Sequence, residues 1–126
     1  MIDFADVCAK RIRELGYQDA KTRRLIDIHD GGIAVRRMPT TTITTYYDGS
    51  QDLFVVVQVV VARESELQAI QEIDDIATRL PEMDLSSENG SYKFSSAALY
   101  TAPQELDNTE NVSVWETRIR AEVTTM

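Results

Sequence analysis

The sequence predicts a single α+β domain: a mostly antiparallel or mixed sheet with two helices packed on it. Three patterns carry that expectation. Two stretches place apolar residues at helical spacing, a valine-rich run follows a tight-turn signal, and the final stretch alternates between core-type and charged residues.

The first helix is expected over Asp3 to Leu15, where Phe4, Val7, Cys8, Ile12 and Leu15 share one side, Asp3 offers an N-cap and Gly16 follows the end. Short extended pieces are expected over Leu25 to Ile28 and Ile33 to Arg37, around the turn residues Asp30-Gly31-Gly32. Pro39 interrupts. Thr40 to Tyr47, dense in β-branched and aromatic residues, reads as a strand closed by the Asp48-Gly49 turn. The run from Leu53 to Ala62 is apolar at every position but Gln58, the pattern of a central strand covered on both sides.

Ser65 opens the second helix as a capping-box residue with Gln68 three positions on, and Leu67, Ile70, Ile73, Ile76, Ala77 and Leu80 form its expected buried side up to Pro81. A polar stretch from Glu82 to Ser91 leads to a strand over Tyr92 to Thr101. A second loop, Ala102 to Asn111, leads to the last strand. There Trp115, Thr117, Ile119, Ala121 and Val123 alternate with Glu116, Arg118, Arg120 and Glu122, so one side meets the core and the other meets water or a partner.

A chain of 126 residues with 43% hydrophobic and 27% charged residues has ordinary globular composition and needs no covalent staple. Its one cysteine, Cys8, falls in the apolar stripe of the first helix and reads as a small hydrophobe. The opening Met1-Ile-Asp-Phe-Ala-Asp6 lacks the basic and apolar regions of a secretory signal, so a cytoplasmic origin is expected. The Leu53 to Ala62 run is too short and too rich in valine for a membrane-spanning helix. The triplets Asn89-Gly-Ser91 and Asn111-Val-Ser113 then carry no meaning as glycosylation sites.

The formal net charge of −8 disfavours nonspecific attraction to nucleic-acid phosphates or an anionic membrane. Charge is also uneven along the chain. Up to Arg37 there are eight basic and six acidic residues; from Met38 onward there are five and fifteen. Lys21, Arg23, Arg24, Arg36 and Arg37 could form a basic patch if their segments lie together, and a solvated or protein-binding face is the preferred reading of it.

No nucleophile elbow, phosphate loop, dinucleotide fingerprint or paired-histidine zinc motif is present, and no enzymatic activity is expected. Asp27, His29 and Asp30 could contribute to a divalent-metal or ligand site, against the plainer reading of a polar turn. Pairing Cys8 with His29 as a thiol catalyst would put the thiol inside a helix stripe, and is disfavoured further. Glu72, Asp74 and Asp75 fall on the polar side of the second helix, where carboxylates are expected simply to be solvated. Tyr46 and Tyr47 point to opposite faces of a regular strand, one into the core and one available as an interface anchor.

Thr44-Thr-Tyr-Tyr-Asp-Gly-Ser50, the strand ending Val59-Val-Val-Ala-Arg63 and the helix Gln68-Ala-Ile-Gln-Glu-Ile-Asp-Asp-Ile-Ala77, in that order, resemble the minor capsid proteins of tailed bacteriophages that infect Gram-positive bacteria. Asn89-Gly-Ser-Tyr-Lys-Phe94 and the closing Val112 to Val123 extend the likeness over most of the chain from about Ile26. The valine-dominated strand and a charged loop over Gln104 to Asn111 depart from that pattern.

The resemblance implies a tail-terminator-like virion subunit without catalytic residues or cofactor, assembled in the host cytoplasm. It further implies a homo-oligomeric ring, typically hexameric, that meets the tail tube and head-completion proteins at the head–tail junction. Membrane binding and sequence-specific nucleic-acid binding are not expected. Candidate interface residues are Arg23, Arg24, Arg36, Arg37, Tyr47, Glu116, Arg118, Arg120 and Glu122. Two rival readings remain: a small metal- or ligand-binding domain using Asp27, His29 and Asp30, and a monomeric adaptor that binds through the outer side of the last strand.

Overall fold

A computed structural model describes residues 2–22, 31–108 and 112–125, and the expected extended piece over Leu25 to Ile28 lies outside them. The elements run α1 (Phe4–Glu14), β1 (Ala20–Thr22), β2 (Gly32–Arg37), β3 (Thr41–Thr45), β4 (Gln51–Arg63), α2 (Glu66–Arg79), a 3-10 turn (Leu80–Glu82), β5 (Lys93–Asn108) and β6 (Ser113–Thr125). The fold is α+β. Its sheet follows the order β1-β2-β4-β6-β5, with β3 paired to the remaining length of β4; β1 and β2 are parallel and every other pair is antiparallel.

The centre of the sheet is β4, whose valine-rich run pairs with β6 from Gln51↔Thr125 to Arg63↔Ser113. On its other edge β2 and β3 form one interrupted strand: β2 pairs from Gly32↔Ala62 to Arg37↔Val57, and β3 from Thr41↔Phe54 to Thr45↔Gln51. Pro39 sits between them because a residue without an N–H cannot continue a ladder. The hairpin closes through Tyr46 to Gly49, with Gly49 N–H donating to Tyr46 O and Tyr46 N–H to Ser50 O. Gly49 takes φ +88°, which explains glycine after aspartate at the tip. Gly31 is also constrained, since a Cβ there would lie 3.2 Å from Ala62 O at positive φ.

Alternation along β4 divides the sheet into two faces. Leu53, Val55, Val57, Val59 and Val61 point to the helical side and join Ile33, Val35, Ile119, Ala121 and Val123 in one core. Onto it α1 packs through Phe4, Val7, Cys8 and Ile12, beside β1 and β2, while α2 packs through Ala69, Ile73 and Ile76 beside β4, β5 and β6. Leu85 and Tyr92 seal the end of the core, where the Tyr92 ring meets Phe4 edge-on and its hydroxyl donates to Leu85 O. No helix among the described residues is long and apolar enough to cross a membrane.

Several local expectations are corrected. Among the described residues helical cover lies on only one face of β4; on the other, Ala34, Val60 and Ala62 form a small cluster with Val112 and Val114, and Phe54 and Val56 are half-buried. Leu67 is 64% exposed because the helix begins one residue before it and turns that position outward. The expected loop from Ala102 to Asn111 is strand as far as Asn108, since edge strand β5 absorbs Pro103 in a register shift between Thr101 and Gln104. The Asp3 side chain makes no cap bond to its own helix. Its carboxylate accepts instead from the Ser87 and Ser91 hydroxyls and from Glu88 and Asn89 N–H, tying the start of α1 to the polar stretch.

Glu72 is likewise not solvated. Arg63, at the end of β4, ion-pairs with Glu72 on α2 at 2.9 Å and with Asp19 before β1 at 2.6 Å. Hydrogen bonding to Asp19 raises the guanidinium further above its ordinary value, burial opposes this, and Glu72 adds to the rise. Asp75 accepts from Tyr17 OH at 2.6 Å. Two of the four carboxylates of this helix, Glu72 and Asp75, therefore fasten it to the sheet and to the segment after α1.

Chemical denaturation tests the two sides of α2. Ile73→Ala is expected to cost about 3 kcal/mol and Leu67→Ala less than about 0.5 kcal/mol. Arg63→Met, which strips Glu72 of its partner, is expected to cost roughly 2–3 kcal/mol.

Candidate functional site

The candidate site is the face of the sheet opposite the helices. Its layout follows from strand register, because directly paired residues point to the same side. One row across the sheet reads Lys21, Ala34, Val60, Glu116, Gln104; the next reads Arg36, Gln58, Arg118, Thr101. Below them come Val56, Arg120, Ala98 and then Thr41, Phe54, Glu122, Ser96. Basic residues from three strands thus share one face, although they lie up to 99 positions apart in the chain.

Glu116 anchors the upper part. It is 2% exposed, and accepts from Gln58 Nε2 at 3.0 Å, Gln104 Nε2 at 3.1 Å and Arg118 Nε at 3.1 Å. Burial raises its pKa, but these three bonds to the ionised form outweigh it and hold the carboxyl below its ordinary value of 4.5. The Gln58 amide nitrogen donates to Glu116, and its buried Oε1 accepts nothing among the described residues.

Arg120 is held differently. Its guanidinium carbon lies 4.3 Å from the centroid of Phe54 and 5.4 Å from that of Tyr100, so two rings orient it while its N–H groups form no ion pair among the described residues. Arg36 is exposed and its guanidinium likewise has no hydrogen bond or ion pair among them. Such planar, undelivered donors suit a carboxylate better than an ammonium would. The two carboxylates nearest the hairpin end of this face are Glu122, opposite Phe54, and Asp52, which accepts from Tyr46 OH and Thr124 Oγ1 at 2.7 Å each.

Of the residues expected at an interface, Arg36, Arg118, Arg120, Glu116 and Glu122 are brought onto this one face. Three corrections follow. Glu116 belongs to a buried hydrogen-bonded cluster, because Gln58 and Gln104 reach it from both neighbouring strands. Arg37 points to the opposite side from Arg36, as its pairing with core-facing Val57 requires, and bonds to Thr40. Neither tyrosine of the turn enters the core, since both lie where the hairpin runs past it: Tyr46 is pinned outside by Asp52, and Tyr47 is fully exposed at the tip.

Arg23, Arg24 and the Asp27, His29, Asp30 turn lie outside the described residues. The face also contains groups that sequence reasoning missed: Phe54, Tyr100 and Gln104. The one available signal was Gln58, the lone polar residue in an apolar run, which marks where that run meets a polar partner. No protein-family model matches this chain, and no curated protein is significantly similar to it.

The lowered pKa of Glu116 sets the sign of a pH effect. A depressed folded-state value contributes stability that is full above the unfolded pKa and lost as pH falls through the folded one. In urea titrations between pH 7 and 3, wild type is expected to be more stable than Glu116→Gln at neutral pH, with the gap narrowing below about pH 4.5.

Proposed function

We propose that this chain is a structural subunit of a tailed bacteriophage or prophage virion, assembling into a ring at the head–tail junction in the manner of a tail terminator or minor capsid protein. The observation that carries the reading is the two-sided build of the sheet: helices cover one face, and the other presents oriented guanidinium groups with half-buried apolar residues between them. A face organised in that way favours contact with another protein surface over solvent. The ordered likeness of the Tyr46 to Ala77 block to phage minor capsid proteins supplies the identity of the assembly.

Two further features support the reading. The β3–β4 hairpin carries Ile43, Tyr46 and Tyr47 exposed, a short apolar arm suited to reaching a neighbouring subunit. The two large surfaces of the molecule, helical and open, differ in chemistry, and unlike surfaces that meet from copy to copy generate rings or filaments. The ring's other contacts would be to the tail tube and to head-completion proteins, in a virion put together in the host cytoplasm.

Native mass measured across chain concentration and salt tests the proposal. A discrete closed oligomer, a hexamer above all, is the expected result, with weaker assembly at high salt. A chain that is monomeric under every condition would count against it.

A further inference from the structure

We infer that the open face of the sheet is the socket for the acidic first turn of α2 from a second copy of the chain, so that Arg36, Arg118 and Arg120 of one copy receive Glu64 and Glu66 of the next around the exposed side chain of Leu67. The inference rests on the ring reading above and names the contact that would build it.

The socket is incomplete as it stands. Arg120 is oriented by Phe54 and Tyr100 but has no anion among the described residues, and Arg36 has no partner among them. Val56 and Phe54 are half-buried and Tyr100 is 55% exposed, so the basic groups border an apolar floor whose hairpin end carries Glu122 opposite Phe54. The occupant should therefore be acidic with an apolar centre. Lysine or arginine would be repelled, and a purely polar segment would leave the floor wet.

The chain carries such a segment on its opposite side. Glu64, Glu66 and Leu67 are all exposed at the start of α2, and Gln71 and Asp74 continue the same outward stripe. Leu67 stands among carboxylates, the complement of an apolar floor among guanidiniums. Because α2 covers the helical face and the socket lies on the other, a copy cannot satisfy its own socket, and a symmetric pair would leave its helices unmatched. Copies must follow one another head to tail. The net charge of −8 sharpens the point: the basic face is a local exception on an acidic molecule, and the acidic surface it would meet is present on every copy.

Complementation between reversed variants tests this. Arg36→Glu and Arg120→Glu alter the socket, and the double variant Glu64→Arg with Glu66→Arg alters the plug; each is checked for folding by circular dichroism and thermal melting. Arg36→Glu and the plug variant alter exposed side chains that have no partners among the described residues, so they stay informative if Arg120→Glu unfolds. Each variant alone is expected to raise the self-association Kd at least about tenfold, because like charges then face each other. An equimolar mixture of a socket variant with the plug variant is expected to restore assembly, with alternating subunits and even-numbered oligomers.

A closed wild-type oligomer indifferent to all three changes would overturn the socket and leave the ring reading standing. A wild-type chain monomeric at its highest soluble concentration in low salt would overturn both. Saturation at a dimer would overturn the head-to-tail contact. Binding of a single-stranded oligonucleotide, lost in Arg120→Glu, by a chain that does not self-associate would reassign the face to nucleic acid.

Discussion

The pairing of β4 along both of its edges is the constraint on which the rest of the molecule depends. All thirteen of its residues are matched to β6, and β2 with β3 takes up most of the other edge. A strand that far inside a protein cannot leave backbone groups unpaired without a cost comparable to losing a hydrogen bond at each. Once its partners are set, register assigns every side chain in the central strands to one face or the other. A slip of a single residue would turn five core valines and leucines toward the open face and bring Gln58 into the helical core.

That register has separate consequences on the two sides. On the helical side it gathers a β-branched floor onto which both helices lay their apolar stripes, and places Arg63 where one guanidinium can reach both Asp19 and Glu72. The last residue of β4 thereby ties together the start of the sheet and the middle of α2. On the open side no helix among the described residues supplies cover, and burial is achieved by long side chains lying across the strands. Arg120 spans Phe54 and Tyr100, while Gln58, Gln104 and Arg118 converge on Glu116. A polar cluster built this way is rigid because each bond comes from a different strand whose position is already fixed.

The electrostatics show how far linear order can mislead. In sequence the chain divides into a slightly basic first part and a strongly acidic remainder. In space Lys21 and Arg36, from the basic part, share a face with Arg118 and Arg120, from the acidic part, and Arg37 is sent to the opposite side from its neighbour. Much of the acidic character of the second part resides in α2, the connecting stretches and the hairpin end, while Glu116 and Glu122 share the open face with Arg118 and Arg120. The useful division of charge runs between two faces of a sheet, and it is this division that gives the proposed assembly a direction.

Local signals in the sequence by themselves determined the elements: the helical spacing of Phe4, Val7, Cys8 and Ile12, the Ser65 cap whose hydroxyl accepts from Gln68 N–H, the Asp48-Gly49 turn and the alternation along β6. These depend on residues within a few positions of one another, where propensity and periodicity act. What sequence could not specify was set by strand order and register. Leu67 shares the helical period with Ile70 and Ile73 and is nevertheless outside the contact. Glu116 has the same alternating place as Arg118 and is buried only because two glutamines from different strands meet it. The parallel strand β1 has three residues, too few for a pattern. Only the tertiary structure decided which charges share a face, because cross-strand neighbours such as Gln58 and Arg118 are brought together by hydrogen bonding between backbones whose pairing leaves no mark in either segment alone.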